Sequence, residues 1–161
     1  MWPRLKEQIA VEQAEIAELI NYHRELLDKA QEASLAGIEL SATAAFLHSL
    51  YSGIENFFRR VAVEIDGAMP RDESWHQTLL QSMAEATPAR PRVISAELRD
   101  RLKPFLQFRH LFRNIYTFRM EWERMEPLVL SAEAVVGDLN QELASFVQAM
   151  DARHGSCETV Q

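Results

Sequence analysis

The sequence predicts an all-α protein, an up-and-down bundle of four long helices plus one short helix. The 161 residues include only 5 Gly and 6 Pro, and Ala, Leu, Glu and Arg, all good helix formers, dominate the rest. Apolar residues make up 47% of the chain and recur at helical spacing, whereas no stretch alternates with the two-residue period of a strand. The length suits one domain with one sizeable core.

The first half of the chain contains two predicted long helices. Residues 3 to about 34 form the first, because Pro3 suits a first turn and an apolar stripe follows it. Gly37 is expected to end this helix in the left-handed conformation. Residues 41 to 65 form the second, a core helix rich in aromatic side chains. Gly53 lies inside it and indicates a close approach of another helix, since glycine there is unfavourable by about 1 kcal/mol.

The second half contains the short helix and two more long ones. A loop over residues 66–74 precedes the short helix, 75 to about 86, which Ser74 is expected to cap. Ser95 is expected to cap the third long helix, which runs to about Thr117 with a kink or a restart at Pro104. The fourth covers residues 121–154. Residues 1–154 are therefore the predicted domain, and residues 155–161 are a predicted disordered tail.

Composition narrows the classes of function. The net charge of −7 argues against a general nucleic-acid coat, yet residues 90–124 carry nine Lys and Arg against four acids. This local excess of basic residues is compatible with a specific piece of RNA or an acidic partner, or with a solvated helix face. A single cysteine, Cys157, excludes an internal disulfide and a cysteine-based metal site. We see neither a membrane-spanning apolar run nor a signal peptide, so a cytoplasmic protein with no membrane partner is expected.

The stretch from Phe108 to Tyr116 carries the densest polar chemistry. On a helix, Arg109, Arg113 and Tyr116 share one row by their i, i+4, i+7 spacing, and His110 and Asn114 form a second row beside it. Two guanidiniums aligned in this way suit a phosphate. The alternative is a surface stripe of arginines over a buried aromatic face. The apolar residues of this segment are predicted to be core: Phe105, Phe112 and Ile115.

Metal catalysis is not indicated, because the sequence has no His-x-x-x-His or Glu-x-x-His pair and no phosphate-binding glycine loop, and no cofactor is expected. Chemistry on RNA needs no metal, since the 2′-hydroxyl is an internal nucleophile. Arg109 and Arg113 could then stabilise the charged phosphorane, His110 could act as a base, and Asn114 could orient groups. Glu55 is either a solvent-facing acid or the partner of an arginine of this stretch. Trp75 and His76 are expected to pack the short helix.

The same residues carry a family resemblance. Arg109-His-Leu-Phe-Arg-Asn-Ile-Tyr116 is similar to the Arg-x4-His-x-Tyr motif of HEPN-domain ribonucleases of the HepT-like toxin group. Over about residues 40–145 the likeness includes the segments that begin at Tyr51, Trp75 and Arg90. The resemblance implies an all-α homodimer that cleaves RNA without metal at an arginine-lined site. It also implies a minimal nucleotidyltransferase antitoxin, which in some members adenylylates the motif tyrosine, Tyr116 here.

One position departs from the motif. Asn114 stands where these toxins have their histidine, and an amide cannot take a proton at neutral pH. Either this chain cleaves RNA with its arginines and an asparagine that positions the 2′-hydroxyl, or it is a catalytically inactive module that binds RNA or a partner. A third hypothesis is a purely structural helical bundle with no nucleic-acid role.

Overall fold

The protein is an all-α helical bundle, described by a computed structural model over residues 1–155. About 79% of the chain is helical, and the described residues contain no β-strand. The helices are α1 (Trp2–Tyr22), α2 (Arg24–Glu32), α3 (Ile38–Val61), α4 (Trp75–Met83), α5 (Ala96–Arg113) and α6 (Trp122–Gly155). A π-helical turn, Ala62–Asp66, extends α3, and a 3₁₀ turn, Thr117–Arg119, links α5 to α6.

Helix α3 lies at the centre of the bundle and packs against α1, α4, α5 and α6. Its buried face is almost wholly apolar and aromatic, with Phe46, Leu50, Ile54 and Phe58 inaccessible to solvent. The close approach predicted at Gly53 is confirmed. A Cβ added there would lie 3.3 Å from Cγ1 of Ile16, so α1 and α3 pack at a distance that suits glycine.

The prediction of one continuous first helix is wrong. The helical segment divides at His23, whose backbone leaves helical geometry at φ −98° and ψ 17°. The Nδ1 atom of His23 lies 2.9 Å from the carbonyl oxygen of Leu19, so this side chain competes for a backbone group of the helix. Gly37 does adopt a positive φ of 60°, but it begins α3 rather than ending α2, which stops at Glu32.

Helix α5 differs from the prediction at two places. It continues through Pro104 without a restart; Pro104 is exposed, whereas Leu102 and Phe105 are buried in the core. It also ends at Arg113 instead of Thr117. Asn114 stops it: its Nδ2 donates to the carbonyl oxygen of His110 at 2.7 Å, a local bond that competes with helix continuation.

The remaining boundaries are close to those predicted. Ser95 caps α5 by accepting a hydrogen bond from the amide of Leu98 at 3.1 Å. Ser74 precedes α4, but its hydroxyl donates to Asp72 at 2.6 Å and does not cap the helix. Helix α4 ends at Met83, three residues early, and α6 includes Gly155. The rest of the predicted disordered tail, residues 156–161, lies outside the described residues.

Candidate functional site

The candidate site forms where α3, α4 and α5 meet. One face of α3 presents His48, Tyr51 and Glu55, whose spacing of three and four residues aligns them along the helix. Arg109 of α5 faces Tyr51 and Glu55, and His76 in the first turn of α4 closes the cluster. The packing of three helices thus brings a carboxylate, an imidazole and a guanidinium together in a largely buried position.

The cluster is held by three short contacts. Nη1 of Arg109 donates to Oε1 of Glu55 at 2.7 Å, and Nδ1 of His76 lies 2.7 Å from Oε2 of the same carboxylate. Nη2 of Arg109 also lies 2.7 Å from Nδ1 of His76. A single ring nitrogen cannot donate to the carboxylate and accept from the guanidinium at once, so the tautomer of His76 decides which bond forms. Glu55 serves both partners, one with each oxygen.

Burial separates these residues from an ordinary surface ion pair. Glu55 is 4% exposed and Arg109 is 7% exposed, so Glu55 is not the solvent-facing acid of the first interpretation and does pair with an arginine. The guanidinium lies 5.6 Å from the centre of the Tyr51 ring, a cation–π geometry. Burial, and then the charge of Glu55, raise the pKa of the Tyr51 hydroxyl, while Arg109 opposes the rise. Among the described residues, neither Nε of Arg109 nor the Tyr51 hydroxyl has a hydrogen-bond partner.

His48 lies one turn before Tyr51 and is half-buried. Its ring stacks on Phe112 of α5 with the ring centres 4.7 Å apart. Burial lowers the pKa of His48, and the positive charges of Arg109 and Arg113 lower it further. Its Nδ1 is buried and finds no hydrogen-bond partner in the part of the chain that the structure describes. His48 is therefore held neutral beside the arginines of α5.

The buried cluster opens into a cleft between α4 and α5. The cleft has a volume of about 260 Å³, and its lining includes His76, Arg109, His110 and Arg113. A larger cavity of about 450 Å³ adjoins it and shares four of the lining residues, Ser74, Gln77, Leu106 and Gln107. Together the two form a groove along the α4–α5 seam. The cleft holds the arginines of α5 together with Glu73, and the adjoining cavity holds mostly amides and hydroxyls together with Lys103.

The structure does not bring all predicted site residues together. Arg109, His110 and Arg113 line the cleft, the last two from exposed positions. Asn114 and Tyr116 lie beyond the end of α5, so the predicted rows of Arg109–Arg113–Tyr116 and His110–Asn114 along one helix are wrong. The ring of Tyr116 is 73% exposed and stacks on Phe118 at 5.6 Å. Of the three predicted core residues, Phe105 is buried, whereas Phe112 and Ile115 are only half-buried.

The sequence interpretation missed His76. The ring stacks on Trp75, with 3.5 Å between ring centres, and this packing is what the sequence predicts. It also contacts Glu55 and Arg109 and lines the cleft, which the sequence did not predict. The available signal was Glu55, an acid on an otherwise apolar helix face that needs buried partners. Nothing in the linear sequence shows that α4 supplies one of them.

Residues 42–150 match a family model described as HepT-like protein. This chain belongs to the HepT-like protein family. The match runs from α3 into α6 and includes Glu55, His76 and Arg109, so the whole candidate site lies inside the family region. Membership makes this a HEPN-type, toxin-related protein. Comparisons with curated proteins and with solved structures found no match.

Two further features of the described residues bear on the site. Within residues 1–155, no group of three or more His, Cys, Asp or Glu side chains is placed to hold a metal ion. No helix in the same range is both long enough and apolar enough to cross a membrane.

Proposed function

We propose that this protein is a metal-independent endoribonuclease toxin that cuts RNA in the cleft between α4 and α5. The observation that carries the proposal is the buried Glu55–His76–Arg109 cluster at the base of a cleft lined by further cations. Burial of ionised groups is unfavourable, because their desolvation is only partly offset by pairing, and a buried cluster that borders an open cleft is a candidate functional site. Here the cluster opens on one side to a cavity in which a phosphate could meet it.

The surface of the cleft suits an RNA strand. Arg113 and His110 are exposed at its rim and can approach phosphate oxygens, whereas Arg109 is held below them by Glu55. The adjoining cavity offers side chains that donate and accept hydrogen bonds without charge, as the recognition of unpaired bases requires: Ser74, Gln77, Thr78, Gln81 and Gln107. Lys103 lies at the far end. Because the whole chain is acidic, with a net charge of −7, binding would be confined to this groove.

The reaction needs two things from the protein. The 2′-hydroxyl must lose its proton as it attacks the adjacent phosphorus, and the negative charge that grows on the phosphorane must be stabilised. Arg113 and Arg109 supply fixed positive charge, and His110 supplies a titratable group at the rim. The products would be a 2′,3′-cyclic phosphate and a free 5′-hydroxyl.

Asn114 has a different part in this proposal from the one that its motif position implies. Its amide ends α5 by bonding the carbonyl of His110, and this termination sets the direction in which the chain leaves the helix after Arg113 toward Tyr116. Asn114 therefore acts as a positioning residue. A proton acceptor is not required at this place if another side chain of the cleft provides one.

The proposed partners are a second copy of the chain and a minimal nucleotidyltransferase antitoxin. Tyr116 and Phe118 are 73% and 76% exposed, which leaves an aromatic surface three residues beyond Arg113. Such a surface suits the homodimer that the family resemblance implies. It also leaves the Tyr116 hydroxyl within reach of a modifying enzyme. An adenylyl group there would bring a phosphate close to Arg113 and compete with RNA for it.

The proposal is tested by incubating the purified protein with unstructured RNA in the presence of EDTA. We expect fragments that end in 2′,3′-cyclic phosphate, and we expect Arg113→Ala to lower kcat/KM by about 10²-fold or more. Arg4→Ala is the matched control, since Arg4 is exposed on α1, away from the cleft. Cleavage that needs added metal, or that is unchanged in Arg113→Ala, would contradict the proposal.

A second candidate function is an inactive module that binds RNA or a partner. It is favoured by Asn114, which replaces the motif histidine and whose amide is committed to capping α5. This candidate predicts RNA binding that Arg113→Ala weakens and no cyclic phosphate ends at any enzyme concentration.

A further inference from the structure

We infer that His76 is the general base of the proposed reaction, with Glu55 as the residue that orients it. The inference rests on the proposed function and names the group that takes the proton in place of the motif histidine. His76 is the histidine that joins the buried cluster to the cleft: its side chain is 24% exposed, and the Glu55 side chain behind it is 5% exposed. A base needs this combination of a buried support and an open reactive edge.

In the tautomer that a base requires, His76 carries its proton on Nδ1. Nδ1 lies 2.7 Å from a carboxylate oxygen of Glu55, to which this proton is donated, and also 2.7 Å from Nη2 of Arg109, which then gains no hydrogen bond from Nδ1. The lone pair is on Nε2, which lies 3.4 Å from Nη2 of Arg109. Arg109 donates to the other carboxylate oxygen at 2.7 Å, which holds the carboxylate of Glu55 in place. The arrangement follows the general pattern of a base whose second nitrogen is held by a buried acid.

Other side chains near the site are less suited to the role. His110 is exposed in the last turn of α5, and no described carboxylate bonds its ring. His48 is not among the residues that line the cleft, and its Nδ1 is buried against Phe112 without a partner among residues 1–155. Asn114 has no titratable proton. His76 alone of these combines an oriented ring with a place in the cleft lining.

The proposed step is balanced within the substrate and this ring. Nε2 of His76 takes the proton of the 2′-hydroxyl as the O2′–P bond forms, and the P–O5′ bond then breaks. The departing O5′ receives a proton from His110 or from water, which gives the cyclic phosphate and the 5′-hydroxyl. No oxidant, metal or second substrate takes part.

The test begins with the pH dependence of RNA cleavage by the full chain. The groups that face His76 and its stacked neighbour Trp75 come from three elements: Glu55 and Arg59 on α3, Glu73 before α4, and Arg109, His110 and Arg113 on α5. In the wild-type protein, kcat should rise with pH and then level off, the profile of a reaction that needs a general base. His76→Asn keeps a donor toward Glu55 but has no base. We expect kcat to fall about 10²- to 10⁴-fold while RNA binding stays within about threefold, and the rise with pH to disappear.

Chemical rescue separates a base from a structural residue. Added imidazole should restore part of the cleavage by His76→Ala, because a free imidazole can occupy the vacated space beside Glu55. His154→Ala is the control, because His154 is exposed on α6 and does not line the cleft, and imidazole should not change its rate of cleavage. Glu55→Gln should lower kcat and shift the rise in the pH profile, because it removes the charge that orients the ring.

The outcomes distinguish the inference from the function on which it rests. If the wild-type chain yields no cyclic phosphate ends, both are overturned. If the wild-type chain cleaves and His76→Asn retains both the rate and the rise with pH, only the role of His76 is overturned. The same conclusion follows if a folded His76→Ala, verified by circular dichroism, is inactive but gains nothing from imidazole.

Discussion

Two arginines of the basic segment are buried, and they are buried differently. Arg90 is 0% exposed, and all its guanidinium nitrogens are bonded. Nε and Nη2 donate to Asp66 at 2.7–3.1 Å, and Nη1 donates to the carbonyl oxygen of Glu85 at 2.9 Å. Arg109 is 7% exposed, pairs with Glu55 through Nη1, and has a buried Nε without a partner among the described residues. Arg90 is thus fully satisfied and enclosed, whereas Arg109 is partly satisfied and lines a cleft.

The difference indicates what each residue does. Arg90 ties the end of α4 and the loop after it to the π-helical turn after α3, since it bonds the carbonyl oxygens of Ser82 and Glu85 and the carboxylate of Asp66. A network with every donor used rigidifies the fold and leaves nothing for a ligand. The network of Arg109 retains an unused donor and adjoins His76 at the cleft. The buried Arg90 therefore has a structural role, whereas the buried Arg109 belongs to the candidate site.

The largest expected effect on the free energy of unfolding comes from replacing Arg90. Arg90→Ala should lower the free energy of unfolding by about 3–5 kcal/mol, because Asp66 and three backbone carbonyls would lose their buried partner. Chemical denaturation of the wild type and the variant measures this difference. Arg92→Ala is the control, since Arg92 lies two residues away and is exposed, and it should change stability by less than about 0.5 kcal/mol. A loss below 1 kcal/mol in Arg90→Ala would show that this network does not hold the two loops together.

Arg109 should have a smaller effect on stability and a larger one on function. Arg109→Met should lower the free energy of unfolding by about 2–3 kcal/mol, less than Arg90→Ala, because His76 can still donate to Glu55. Adding Glu55→Gln should recover part of that loss, with a coupling of about 1–3 kcal/mol between the two positions. Cleavage of RNA should remain lost in the double variant. Equal recovery of stability and cleavage would show that the pair has only a structural role.

This contrast also shows how far the sequence could predict the molecule. Helical periodicity predicts the bundle, because a core of long amphipathic helices leaves its pattern in the spacing of apolar residues. Because the apolar pattern is short-ranged, it does not predict the residues at which the helices end. Asn114 stops α5 through a bond to the backbone one turn earlier, and this shifts Tyr116 out of the predicted row. This local hydrogen bond thus accounts for the difference between the predicted and the observed geometry of the site, and it has no bearing on the fold class.

Long-range contacts account for what the sequence could not show. Charge counting placed Arg90 and Arg109 in one basic segment, yet their partners are Asp66 and Glu55, 24 and 54 residues away. His76 is likewise separated from Arg109 by 33 residues, and only the packing of α4 against α3 and α5 brings the three groups together. The family resemblance directed attention to the motif on α5. The structure adds His76, and it pairs Glu55 with the arginine of that motif, which was one of the two interpretations of Glu55.

The smallest expected effect concerns the pKa of His48, which the positive charges of Arg109 and Arg113 lower. Burial lowers the pKa of His48, and both arginines add to the shift, so the native pKa should lie below the ordinary value of 6.5. Above pH 6.5 the ring is neutral in both states. As the pH falls below 6.5, the unfolded chain binds the proton first, and the free energy of unfolding decreases by at most about 1.4 kcal/mol per pH unit until the native pKa is reached.

NMR titration of the His48 ring measures the native pKa directly. Arg113→Gln should raise that pKa toward 6.5 and lessen the loss of stability in acid, because it removes one of the two nearby charges. The rise should be partial, since burial is the larger cause and Arg109 remains. Arg92→Gln, the control, should leave the titration unchanged. A native pKa at or above 6.5 would contradict the placement of His48 against Phe112 and beside the arginines of α5.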